Sequence, residues 1–122
     1  MNIIRPILIL IFSLASLSPA QAHAFLDHAD PKVGSTVPVS PAVVKIWFTL
    51  KVNPDGSMIQ VFDSNGQKVS RGQAKIDPAD GTLMAVSLPK LGAGTYRVVW
   101  TALCQCCGDT THGSFTFAVA AP

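Results

Sequence analysis

Charge and length limit the class of protein. The chain has 122 residues, and nine Lys and Arg side chains stand against seven acidic ones, all of them Asp. The net charge is therefore too small to indicate binding to a highly charged partner, and no nucleic acid is expected as a partner. The length suits one domain with one modest core.

Residues 1–22 have the pattern of a secretory signal peptide. One positive charge precedes an apolar run over residues 7–17, and the small residues Ala20 and Ala22 mark a cleavage site. The run is too short for a membrane span, which usually needs ~20 apolar residues. We therefore expect cleavage after Ala22 and secretion of the mature domain. The alternative is that the leader stays attached as an anchor.

Cleavage after Ala22 makes His23 the first residue of the mature domain, residues 23–122. A first residue offers its free α-amine and its imidazole Nδ1 together, and the two form a chelate for a transition metal ion. An internal histidine lacks this chelate because its backbone nitrogen is a peptide amide. The site predicted below therefore depends on the cleavage.

The mature domain alternates short strand patterns with turns. The clearest strand, residues 43–50, has a period of two, with Val44, Ile46, Phe48 and Leu50 on one face. Other strands are predicted over residues 25–29, 57–63, 68–76, 82–88, 95–103 and 114–120. No stretch shows a helical period. The pattern predicts an all-β fold, an immunoglobulin-like antiparallel β-sandwich of about seven strands.

Two details of this fold are predicted as well. The Asn65-Gly66 pair indicates a tight hairpin turn with positive φ at both central residues. The core is expected to contain Trp47 or Trp100, together with Phe48, Phe115 and Phe117.

The topology brings two distant parts of the chain together. In such a sandwich the chain crosses from one end to the other with each strand, so the start of the first strand lies beside the loop before the last one. That predicted loop is residues 104–112, and its chemically active side chains are Cys104, Cys106, Cys107, Asp109 and His112. Loops at the end of a rigid sandwich often carry function. We therefore expect His23 and this loop to form one site.

Several segments resemble the bacterial periplasmic copper-resistance proteins of the CopC family. They are His23-Ala-Phe-Leu, Asp30-Pro31-x-x-Gly34, Val44-x-Ile-Trp-Phe48, Ala93-Gly94-Thr-Tyr-Arg-Val-Val-Trp100 and Gly113-Ser-Phe-Thr-Phe117. The resemblance implies a small β-sandwich that binds Cu(II) through an N-terminal His with its amine, plus an Asp and a His from the late loop. By that resemblance the metal ligands here are His23, Asp109 and His112. Nitrogen ligands and a nearby carboxylate also suit Cu(II) on chemical grounds.

The same resemblance implies a function and a setting. The protein is expected to be a copper carrier or buffer in copper homeostasis or resistance, and not an enzyme. It is expected to act as a monomer in the periplasm, with the copper ion and an inner-membrane copper transporter as partners.

The late loop departs from the family pattern. Counting from Trp100 without gaps places Cys106 where the family has its Asp, and Gly108 where it has its His. Either the loop has slipped and Asp109 and His112 keep the ligand roles, or the cysteines have replaced them.

The cysteines have two interpretations. An odd count in an oxidising compartment cannot pair entirely within the domain. A bridge from Cys104 to Cys107 spans a turn and leaves Cys106 as a thiol. Alternatively, the three thiolates bind Cu(I), which soft sulfur selects. The Met-rich Cu(I) region of the family is missing, since the mature domain has only Met58 and Met84.

Two other classes of function stay open. A secreted copper-dependent oxidative enzyme uses the same N-terminal histidine brace, but a domain of this length leaves little room for a substrate platform. A metal-free interaction module with a loop disulfide is the third class. The secreted setting and the ligand types favour copper binding.

Overall fold

The computed structural model describes residues 23–106 and 108–122, so the predicted signal peptide, residues 1–22, and Cys107 lie outside the described residues. Within the described ranges no helix is long and apolar enough to cross a membrane. The same ranges contain eight strands: β1 (Leu26–Asp30), β2 (Thr36–Val37), β3 (Val43–Phe48), β4 (Met58–Phe62), β5 (Arg71–Asp77), β6 (Asp80–Ser87), β7 (Gly94–Leu103) and β8 (Thr110–Val119).

The strands form two four-stranded sheets that pack face to face. The first sheet has the order β1-β3-β6-β5 and the second has the order β2-β8-β7-β4. All of the pairs are antiparallel except that of β2 with β8, which is parallel. The predicted all-β sandwich is thereby confirmed. The two-residue β2 was not predicted, because two residues are too few to show a period.

The core lies between the sheets and is built by the alternation of each strand. In β3 the residues Val44, Ile46 and Phe48 are buried, as the period of two predicts. Phe48 meets Trp100 edge to face, with ring centroids 5.3 Å apart. Phe115 and Phe117 are buried too, whereas Trp47 is half-buried on the outer face. The predicted aromatic core is confirmed, with Trp100 as its tryptophan.

The predicted hairpin at Asn65-Gly66 forms over a short antiparallel bridge, Phe62↔Lys68, but the predicted turn type was wrong. Gly66 has a φ of 78°, but no described residue other than glycine has a positive φ. The Asp63 carboxylate accepts hydrogen bonds from the backbone N–H groups of Asn65 and Gln67, at 2.9 Å each. This side-chain cap sets the turn geometry in place of a primed turn. The chain then crosses to the other sheet, where β5 pairs with β6 and not with β4.

The last strand begins earlier than predicted, at Thr110 instead of Ser114. Its ladder with β7 runs without a break from Leu103↔Thr110 to the end of the strand. The β-branched pair at its start favours an extended backbone. The missing side chain of Gly113 leaves room for the Trp100 ring, which faces it across the ladder. As a result, His112 lies in a strand and not in the predicted loop.

The close approach of Gly113 to Trp100 gives a test of this packing. A Cβ atom at Gly113 would lie 2.6 Å from Cζ2 of Trp100. We expect Gly113→Ala to lower the free energy of unfolding by about 1–3 kcal/mol, because the buried ring must shift. Gly92→Ala is the control, since a Cβ there has no heavy atom within 4 Å. Urea denaturation of both variants checks this, and equal midpoints would contradict it.

Candidate metal centre

The first described residues are held at the start of β8 before β1 begins. Ala24 is fully buried, and its carbonyl accepts a hydrogen bond from Oγ1 of Thr111. Phe25 N–H donates to Oγ1 of Thr49 at 3.0 Å, and Thr49 N–H donates to the Phe25 carbonyl at 2.8 Å. These contacts fix the backbone that carries His23.

His23 meets the late loop at Asp109. The distance from His23 Nδ1 to Asp109 Oδ2 is 4.0 Å, and the two side chains are 48% and 49% exposed. Asp109 is placed by its backbone, because its carbonyl accepts a hydrogen bond from Cys104 N–H at 2.9 Å. The predicted meeting of the N-terminal residues with the late loop is confirmed. The pair is half-open to solvent, so an ion can reach both side chains.

His112 lies on the other face of β8. Side chains of a strand alternate between its faces, so Thr111 shares the inward face with Phe115 while His112 points outward. Within residues 23–106 and 108–122, no group of three or more His, Cys, Asp and Glu side chains is placed to hold a metal ion. The structure therefore brings His23 and Asp109 together but does not bring His112 to them.

The reason for this separation can be read from the spacing. Asp109 directly precedes β8, and within the strand the neighbours Thr111 and His112 lie on opposite faces. The residue two positions after Asp109 is Thr111, whose hydroxyl binds the Ala24 carbonyl. Thr111 is the functional residue that the sequence interpretation missed. The signal that could have identified it is the period of two that places Thr111 on the same face as the core residues Phe115 and Phe117.

The described cysteines lie beside this pair. Cys104 is buried and Cys106 is exposed, and their Sγ atoms are 3.0 Å apart. Gly108 N–H donates to the Cys104 carbonyl at 3.1 Å, which closes the loop around them. The predicted bridge from Cys104 to Cys107 involves a residue outside the described part of the chain.

Comparison with known proteins shows the family. A family model of the CopC domain matches residues 26–120. The chain belongs to the CopC domain family. The copper transport protein CutJ of Bacillus subtilis (strain 168) is 29% identical over 114 residues, which are 93% of this chain and 21% of that protein. The chain therefore spans a minor part of the length of that relative.

Solved structures support the assignment of this CopC domain. CopC from Methylosinus trichosporium OB3b matches with a TM-score of 0.76 and 31% identity, over 81% of this chain and 95% of that one. PcoC, a methionine-rich copper resistance protein from Escherichia coli, matches with a TM-score of 0.64 and 27% identity, over 81% of this chain and 100% of that one. The family resemblance drawn from the sequence is confirmed.

The remaining histidine of this CopC domain is His28 on β1. The sequence pattern predicts a solvent-facing side chain there, and His28 is 59% exposed. Its Nδ1 lies 2.6 Å from Oδ2 of Asp27, and its ring stacks on Trp47 with centroids 4.4 Å apart. His28 therefore has local partners on the outer face of the first sheet, away from His23 and Asp109.

The hydrogen bond between Thr111 and Ala24 can be tested directly. We expect Thr111→Val to lower the free energy of unfolding by about 1–3 kcal/mol, because the buried Ala24 carbonyl loses its side-chain donor. The control is Thr110→Val, which changes an exposed neighbour in the same way. Denaturant unfolding gives the energies, and amide hydrogen exchange at residues 24–26 should be faster only in Thr111→Val. Equal stability and exchange in the two variants would contradict the anchoring role.

Proposed function

We propose that this CopC domain is a periplasmic copper-binding protein that holds Cu(II) at His23 and carries or buffers the ion in copper homeostasis or resistance. The observation that supports it most is the 4.0 Å approach of His23 Nδ1 to Asp109 Oδ2 at the exposed end of the sandwich. The names of the relatives, a copper transport protein and copper resistance proteins, point to the same ion.

The donor set fits Cu(II). After cleavage behind Ala22, the α-amine and Nδ1 of His23 form a chelate, and Cu(II) prefers tetragonal surroundings of nitrogen and oxygen. The Asp109 carboxylate supplies an oxygen and offsets part of the charge of the ion. The hydrogen bond of Thr111 to the Ala24 carbonyl holds the residue next to His23, so less of the chain has to be ordered when the ion binds. We also propose the cleavage after Ala22, a residue that lies outside the described part of the chain.

His112 as a further ligand of the same ion stays a prediction. His112 is paired with Thr101 in the β8 ladder and points to the outer face. To join His23 and Asp109, the first residues of β8 would have to leave that ladder. We therefore place the centre of the site at His23 and Asp109, and the variant His112→Ala tests the third position.

We also propose the oligomeric state and the partner of the protein. It acts as a monomer and exchanges the copper ion with an inner-membrane copper transporter. Its role is that of a carrier and not of an enzyme. Turnover of a polysaccharide or peptide substrate by the copper-loaded domain would overturn the carrier role and favour the oxidative enzyme.

The amine is tested by adding one Gly before His23 of the mature domain. The added residue turns the amine into a peptide amide, so we expect the Cu(II) affinity to fall by at least about tenfold, or ~1.4 kcal/mol. One Gly added after Pro122 is the control. Cu(II) titration followed by electron paramagnetic resonance gives affinity and ligand type. An unchanged affinity and spectrum would show that His23 is not the site.

The carboxylate and the pH dependence are tested together. Asp109→Asn keeps the size of the side chain but removes its charge, and we expect about 10–100-fold weaker Cu(II) binding. Asp55→Asn, at an exposed turn, is the control. In the unchanged protein, affinity should decrease as the pH falls, because protons compete for the amine and the imidazole. Binding that is equally strong in both variants would exclude Asp109 as a ligand.

The cysteines keep their two predicted roles, a disulfide or a Cu(I) site. Thiol counting on fresh protein, followed by Cu(I) competition with a chromogenic chelator, separates them. Three titratable thiols, with Cu(I) uptake lost when Cys104, Cys106 and Cys107 are all changed to Ser, would support the Cu(I) role. One thiol and no uptake by these residues even after reduction would support the disulfide.

A further inference from the structure

The outer face of the second sheet carries a row of three side chains. Met58 on β4 pairs with Thr101 on β7, and Thr101 pairs with His112 on β8. The three leave the sheet on the same side, because their neighbours face inward: Ile59 and Ala102 are buried and Thr111 is half-buried. Met58 and His112 therefore flank the short side chain of Thr101 on one open surface.

Packing in the core does not explain why residue 58 is a methionine. It is 40% exposed, although methionine is a residue that usually fills a core. The other methionine of the described domain, Met84, is 1% exposed and lies in the core, as that preference predicts. His112 is exposed as well. Both ends of the row thus present their functional atoms to solvent.

The spacing of the row allows one ion to bind both ends. Neighbouring strands lie about 4.8 Å apart, so the backbones of Met58 and His112 are about 10 Å apart. Metal bonds to sulfur and nitrogen take up roughly 4.3 Å of that span. An extended methionine, with its flexible side chain, and the histidine ring can cover the rest above Thr101.

The chemistry of the row selects the ion. Thioether sulfur is a soft ligand that prefers Cu(I), and imidazole also binds copper. The positions that border the row on the same face are uncharged; they are Gln60, Val99, Ser114, Leu103 and Thr110. The cavity beside Met58 is lined by one residue of each charge, Asp55 and Lys68.

We propose that Met58 and His112 form a second copper site, selective for Cu(I), on the outer face of the second sheet. It rests on the proposed function only in taking copper as the ion. It does not depend on cleavage of the leader, because neither ligand is an N-terminal group. The histidine that the family resemblance assigned to Cu(II) thereby has a separate role, on the face of β8 opposite Thr111.

The first experiment uses methionine labelled with ¹³C at its methyl group in the mature protein. Titration with Cu(I), or with the redox-stable Ag(I), should shift the Met58 signal and leave the Met84 signal in place. In His112→Ala, the shift of the Met58 signal should require at least about tenfold more ion, since one of two ligands is gone. His28→Ala, which removes another exposed histidine, should titrate like the unchanged protein.

The second experiment removes the competing thiolates by changing Cys104, Cys106 and Cys107 to Ser. Competition for Cu(I) with a chromogenic chelator should then show equal losses of affinity for Met58→Leu and His112→Ala, and no further loss in the double variant. X-ray absorption should show one sulfur ligand, which Met58→Leu removes. If the Ser variant does not fold, the methyl titration of the native protein decides alone.

Several results would overturn the site. One is a Met58 signal that does not move, and another is the same Cu(I) affinity for Met58→Leu and for Met84→Leu. A His112→Ala variant that changes the Cu(II) spectrum but not the Cu(I) affinity would return His112 to the His23 site. Failure of the proposed function is seen separately: an N-terminal Gly that leaves Cu(II) binding unchanged refutes the His23 site, whatever the Cu(I) titration shows.

Discussion

The hydrogen bond from Thr111 to the Ala24 carbonyl is the contact on which the candidate site depends. It joins the two ends of the mature chain, because Thr111 lies in the last strand and Ala24 directly follows His23. Without it, a first residue carries a chelating amine on a loose end, and the ordering of that end weakens binding. With it, the residue next to His23 is held at the same pole as Asp109, and in the proposed function this reduces the ordering that the amine and the imidazole need when the ion binds.

The two proposed copper sites are separated by the same strand, β8. On its inward face, Thr111 binds the Ala24 carbonyl near His23 and Asp109, whose nitrogen and oxygen ligands suit Cu(II). On its outward face, His112 lies in a row with Met58, where a thioether suits Cu(I). Side chains alternate between the two faces of a strand. A shift of β8 by one residue would therefore exchange the side chains on its inward face with those on its outward face.

The sequence was sufficient for the fold because the alternation of Val44, Ile46 and Phe48 and the frequent turns carry most of that information. It was also sufficient for the meeting of His23 with Asp109, which follows from the topology of a sandwich. The placement of His112 could not be predicted, since it depends on where β8 begins. Gly113 leaves room for the Trp100 ring and so lets the ladder continue to Thr110, a contact between strands that the local pattern of residues does not show.

In the proposed site one imidazole and one amine bind Cu(II). Electron–nuclear double resonance on the Cu(II)-loaded mature protein, with ¹⁵N only in the histidine imidazoles, counts these nitrogens directly. The arrangement at His23 and Asp109 predicts one ¹⁵N imidazole nitrogen and one ¹⁴N amine nitrogen bound to the ion. The absence of a bound amine would contradict it, and a second bound imidazole would place His112 at this site instead of beside Met58.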